Sequence, residues 1–134
     1  MLFTSNAIVL ARLFLLLFVL AASGCGSGYS SQAHRVESKT ARETMLAVLE
    51  SWKAGENPEA WQQKDPSVVI QDFDWMGGAE LATYEILSEK AIDANLHCEV
   101  RLQLQAADDR RSEKTVTYLV STSPVLTVFR AAQP

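Results

Sequence analysis

The chain has 134 residues, 48% of them hydrophobic and 21% charged, with 6 Gly, 4 Pro and 2 Cys. That balance excludes a disordered chain, a collagen-like repeat, a disulfide-rich scaffold and a multi-span membrane protein. The net charge is −4, and an acidic surface repels phosphate backbones, so no nucleic-acid partner is expected.

Arg12 precedes an apolar run from Leu13 to Ala22, which ends in the small residues Ser23 and Gly24. A basic residue, a short apolar core and small residues make residues 1–24 a secretory signal. Ten apolar residues are too few for a spanning helix, which needs roughly 20. Removing them leaves 110 residues, and because Arg12 is their only charged member, 11 basic and 16 acidic side chains remain, a charge of −5. One domain of this size folds without disulfides or metal.

Leu20-Ala21-Ala22-Ser23-Gly24-Cys25 resembles the lipobox of bacterial lipoproteins. The resemblance covers about the first 26 residues and implies cleavage before Cys25, which becomes the diacylglycerol-modified first residue. Ala22 stands where that family more often has Leu, and Gly26 in place of Asp implies the outer membrane in a cell with two. The physical requirement is met by such an anchor, since each buried CH₂ contributes about 0.8 kcal/mol and stable attachment takes two chains or more. The expected address is the extracytoplasmic side of the cell envelope. With Cys25 acylated, Cys98 is the one thiol left and no intramolecular disulfide forms. A lone thiol outside the cytoplasm is safest when buried, which is expected of Cys98.

Residues 25–37 are small and polar and read as a tether spanning about 20 Å, and residues 38–134 as a single domain. Thr40-Ala41-Arg42-Glu43 has capping-box spacing for a helix start. Ala41, Met45, Val48, Leu49 and Trp52 recur on one helical face. Gly55 stops the helix with a left-handed cap, and Asn57-Pro58-Glu59 opens a short second helix to Gln63.

Beyond Asp65-Pro66 the period becomes strand-like. Ser67 to Asp74 is β-rich, Gly77-Gly78 is a turn, and Glu80 to Ala91 is extended. In Leu96 to Gln105 the residues Leu96, Cys98, Val100, Leu102 and Leu104 share one face, with His97, Glu99, Arg101, Gln103 and Gln105 on the other. Ala107 to Arg111 is a charged hairpin turn, and Thr115 to Thr122 returns with Val116, Tyr118 and Val120 toward the same core. Ser123-Pro124 interrupts the sheet before a last strand, Val125 to Arg130. No internal repeat or low-complexity segment is present.

These elements predict an α+β domain: an amphipathic N-terminal helix and a short helix packed on a curved antiparallel sheet of four to five strands. Helix-first order and long final meander strands, with Tyr118-Leu119-Val120 in the penultimate one, resemble the nuclear transport factor-like superfamily over residues 38 to 130. That superfamily is the cone-shaped fold shared by ketosteroid isomerase. The helical half is shorter here than in the superfamily, and a cystatin-like helix on a meander sheet is the nearest alternative.

Asp72 and Asp74 would share a strand face about 7 Å apart, within the carboxylate spacing of inverting glycosidases. The plainer reading is two solvated carboxylates beside a glycine turn. His97 and Glu99 also share a face, but a metal needs a third ligand and none lies nearby, so a cross-strand salt bridge or hydrogen bond involving Glu99 and Arg101 is expected, with no metal and no cofactor. There is no Gly-x-Ser-x-Gly run, and Gly24, Gly26 and Gly28 follow a signal rather than a strand, so they form no phosphate loop. Trp61 and Trp75, placed where a cone's mouth would be, either contact a ligand or plug that mouth through their indole N–H groups. Tyr84 and Tyr118 have the same two readings. Together with Asp72 and Asp74 these four are the candidate pocket residues.

The expectation is a membrane-anchored lipoprotein domain without catalytic function, serving as a binding or assembly module for a protein partner or a small hydrophobic ligand. The alternative is an isomerase- or hydrolase-like enzyme with a carboxylate base in a sheet-lined pocket. A third reading is a homodimer through the exposed sheet face.

Overall fold

A computed structural model describes residues 34–133. The signal segment, the lipobox with Cys25 and most of the expected tether lie outside them. The described part begins with α1 (Ser38–Lys53), followed by a 3-10 helix (Pro58–Gln63), β1 (Val68–Gln71) and a one-turn helix α2 (Phe73–Met76). Strands β2 (Glu80–Ile92), β3 (Asn95–Gln105), β4 (Arg111–Ser121) and β5 (Leu126–Arg130) complete it.

α1 starts two residues before the predicted capping box. Glu37 caps it instead, its carboxylate accepting from the backbone N–H of Lys39 at 3.2 Å and of Thr40 at 2.7 Å. Glutamate is not among the favoured capping residues. It serves here because its own backbone N–H donates to the Thr122 hydroxyl at 3.0 Å, which holds residue 37 against the end of β4. Glu43, freed from capping, faces Lys39 one turn away. The preceding N–H, on Val36, donates to the Asp93 carbonyl at 3.0 Å, so the last residues before α1 are bonded to the fold. At the other end Gly55 adopts φ 83° and closes the helix as expected. Asn57 caps the 3-10 helix through the Glu59 N–H.

The five strands form one curved, unclosed sheet in the order β1-β5-β4-β3-β2. The sheet is mixed rather than antiparallel throughout, because β1 runs parallel to β5 with Val68 opposite Leu126. Parallel neighbours cannot be joined by a tight turn, and the whole meander β2–β4 intervenes between these two. The meander is regular: β3 and β4 pair over their full length, Gln105 opposite Arg111, so β4 begins four residues earlier than its apolar alternation shows. Irregularities between Leu81 and Thr83 and between Ile86 and Ser88 bend β2, the long edge strand.

α1 lies on the concave face and touches β2, β3, β4 and β5. Its stripe of Ala41, Met45, Val48, Leu49 and Trp52 is fully buried against Leu96, Cys98, Val100, Leu102, Val116, Tyr118, Val120 and Val128. Strand parity in β3 and β4 is as predicted, and Cys98 is buried. Burial pushes its thiol up to about 11, with the Glu89 carboxylate adding to the shift and Arg42 opposing it.

Candidate functional site

The strand predicted over Ser67 to Asp74 stops at Gln71. Asp72 leaves it in an extended conformation (φ −138°, ψ 117°) and caps α2, accepting from the backbone N–H of Asp74 at 2.9 Å and of Trp75 at 3.1 Å through Oδ1. Asp72 and Asp74 therefore do not alternate on a strand, and the glycosidase-like spacing does not arise. Nor are they two solvated carboxylates, since Asp72 is 1% exposed. An Asp before a glycine turn invites the solvated reading. Here the cap turns the side chain inward, toward polar and charged groups on β4 and β5.

Those groups are Arg130, Lys114 and Tyr118. Parity along β4 places residues 114, 116 and 118 on the concave side, and residue 130 on β5 stands opposite Tyr118. The Tyr118 hydroxyl donates to Asp72 Oδ2. Arg130 Nη1 donates to Asp72 Oδ1 at 3.4 Å and, more closely, to Asp74 Oδ2. Lys114 Nζ reaches both oxygens of Asp74, at 2.9 and 3.0 Å. Two carboxylates thus meet two cations and a phenol, and among the described residues no buried side-chain polar atom lacks a partner.

The electrostatics follow from this enclosure. Partial burial of Asp74 works against its charge, but the hydrogen bonds and charges of Arg130 and Lys114 outweigh it and hold the carboxyl below the usual range. Burial also works against the Arg130 guanidinium, whose pKa is nonetheless raised by the bond to Asp74 and the charge of Asp72. The Tyr118 phenol is pushed far above its ordinary value, first by burial and then by the Asp72 carboxylate. A general base works best with a pKa near the operating pH. Asp74 is moved away from it, and Tyr118 is made a weaker acid. Chemically the cluster is a latch: it ties α2 to the ends of β4 and β5.

Of the six pocket candidates the structure gathers Asp72, Asp74, Trp75 and Tyr118, and separates Trp61 and Tyr84. Trp75 stacks on Trp52, centroids 5.2 Å apart and planes 9° from parallel. Its indole N–H donates to the Glu56 carbonyl at 2.9 Å, and that of Trp52 to the Ala79 carbonyl at 2.8 Å. Trp61 donates to the Ser51 hydroxyl at 2.9 Å and lies under Lys64, whose Nζ is 3.8 Å from the ring centroid. The Tyr84 hydroxyl donates to Glu50 at 2.7 Å, and burial, with Glu50 adding to it, pushes the phenol up to about 12. All three indoles therefore find hydrogen-bond acceptors.

Arg130 and Lys114 were missed as site residues. The available signal was a cation at a core-facing position near a strand end, which must find a carboxylate or reach water. On the convex face Arg101 makes the expected cross-strand ion pair, with Glu85, its direct neighbour on β2, at 2.6 Å, and Glu113 on β4 lies at 3.8 Å. Glu99 stands opposite Ser88 and Thr117, and His97 opposite Lys90 and Leu119, none of them a metal ligand.

Beside the latch, α2 walls one side of a surface groove of about 320 Å³, whose floor includes Trp52 and Trp75 and whose sides include Glu56, Pro58, Met76 and Glu80. No family model, curated protein or solved structure matches the chain.

Proposed function

We propose that this chain is a lipoprotein anchored through Cys25 on the extracytoplasmic side of a bacterial membrane, the outer one where there are two. Its nuclear transport factor-like domain acts as a binding or assembly module rather than an enzyme. The anchor rests on the lipobox-like Leu20 to Cys25 and on the short apolar run before it. For the module, the observation that carries the reading is the state of Asp72. One of the two candidate carboxylates for an isomerase-like base, it is buried and accepts from Tyr118, Arg130 and two backbone N–H groups. Such a group orders structure and, at 1% exposure, offers no open face to substrate.

Mass spectrometry of protein purified from membranes tests the anchor. The expected mass is that of a chain beginning at Cys25 with glyceride and fatty acyl groups attached, and Cys25→Ala removes the protein from the membrane fraction or leaves it unprocessed. A free thiol on a chain beginning at Met1 refutes it. For the module, affinity purification from detergent-solubilised membranes is expected to recover a partner in fixed stoichiometry, and recovery of none under any condition counts against it.

A further inference from the structure

α2 carries the two most exposed large apolar side chains among the described residues, Phe73 at 69% and Met76 at 54%. They stand three residues apart, on the same side of the helical turn. Single exposed apolar residues are ordinary, but these two sit on a turn that is rigidly held. Asp72 caps it, Asp74 is clamped by Lys114 and Arg130, and Trp75 is stacked on Trp52. The same turn walls the groove with the tryptophan floor, and the charged residues lining that groove are Glu80 and Glu56, the latter paired with Lys64 at 3.2 Å.

We propose that this corner is a docking site for a protein segment in which an arginine or lysine is flanked by apolar residues. This rests on the binding-module reading and specifies its partner. A basic side chain has an apolar stem and a cationic head, which match an indole floor and a carboxylate rim. About 320 Å³ is at the low end of ligand clefts and suits one long side chain. Phe73 and Met76 then take the partner's apolar neighbours. Aromatic residues and methionine are enriched at interfaces, and methionine adapts its shape to what it meets. A site held rigid before binding loses less entropy on association. Charge separates this occupant from two others. Anionic headgroups are repelled by Glu80 and find the nearby cations already engaged, Lys64 by Glu56 and Lys114 and Arg130 by Asp74. A second copy would bring the same acidic corner or another part of a chain with net charge −4.

The test uses protein purified with its N terminus intact in detergent micelles, titrated with the blocked pentapeptide Gly-Leu-Arg-Leu-Gly and observed through indole N–H resonances. Saturable shifts are expected at Trp52 and Trp75, with none at the amides of Glu99 and Thr117 on the convex face. Exchanging the peptide's arginine for glutamate should abolish the shifts. Glu80→Gln should weaken binding about two- to fivefold, and Phe73→Ser or Met76→Ser should weaken it while leaving the remaining spectrum unchanged. Absence of a saturable shift up to millimolar peptide overturns the proposal, as does an equal response to the glutamate peptide. Self-association by light scattering, or binding to phosphatidylglycerol vesicles, that Phe73→Ser abolishes would assign the corner to a second copy or to lipid and likewise overturn it. The mass of the same sample at Cys25 decides the lipoprotein reading separately, so failure of the peptide leaves that result standing.

Discussion

Removing the Tyr118 hydroxyl and the Asp72 carboxylate, singly and together, measures how firmly α2 is latched. In Tyr118→Phe the buried Asp72 Oδ2 loses its phenolic donor. A hydrogen bond to a charged group contributes about 1.5–3 kcal/mol, and that is the expected loss. Asp72→Ala does more, because it removes the cap of α2 and leaves a phenol that is 2% exposed without its acceptor, while Arg130 keeps Asp74. Losing a cap costs roughly 0.5–2 kcal/mol and leaving a buried polar group without its partner about 1–3 kcal/mol. The expected total is about 3 kcal/mol, enough to lower Tm by roughly 12–24 °C in a domain of this size. In the double variant the phenol and carboxylate vanish together. Its cost should fall short of the sum by about 1.5–3 kcal/mol. Urea unfolding followed by tryptophan fluorescence gives all three values, and Trp75 on α2 provides a local reporter. A coupling within about 0.5 kcal/mol of zero, as for distant sites, would refute the latch.

The carboxylate of Asp74 is held below its ordinary pKa, so its contribution is present above the unfolded value of about 3.9 and is lost as pH falls through the lower folded value. Asp74→Asn should flatten the fall of stability below about pH 4, and an unchanged acid limb in urea titrations would contradict the pairing. The Cys98 thiol, buried and raised to about 11, should resist iodoacetamide at pH near 8 until urea unfolds the domain. Rapid alkylation of the native protein, read by mass, would place that face of β3 outward. Leu102→Ala, at a fully buried position, should cost about 2–5 kcal/mol, while Gln103→Ala on the opposite face should stay within about 0.5 kcal/mol. A reversal of that order in urea melts would invert the strand parity.

The fold was legible wherever a single element declares which side it buries. The α1 stripe from Ala41 to Trp52 and the alternation from Leu96 to Leu104 needed no partner to be read, because burying one face leaves a period of 3.6 or 2 in the sequence. Gly55 and Asn57 were legible through local backbone chemistry. Misread starts and stops have a common cause. Glu37 became the cap of α1 through Thr122, 85 residues away, and the charged start of β4 was hidden because Arg111, Glu113 and Lys114 lack apolar alternation. β1 was read as too long because the cap at Asp72 uses the same residue types as a turn.

The candidate site divides in the same manner. Local sequence singled out Asp72, Asp74, Trp75 and Tyr118 by residue type, while Arg130 and Lys114, the cations that decide the state of the two carboxylates, come from strands 40 to 58 residues further along. Composition and periodicity determined that the described residues pair an amphipathic helix with a sheet and hold Cys98 inside, since those properties sum over single residues and their nearest neighbours. Only the tertiary structure decided that β1 lies parallel to β5, that Asp72 is buried under Tyr118 and Arg130, and that Phe73 and Met76 face outward. Each depends on which distant strand ends meet, and the free energy of that meeting belongs to the closed fold rather than to any segment of it.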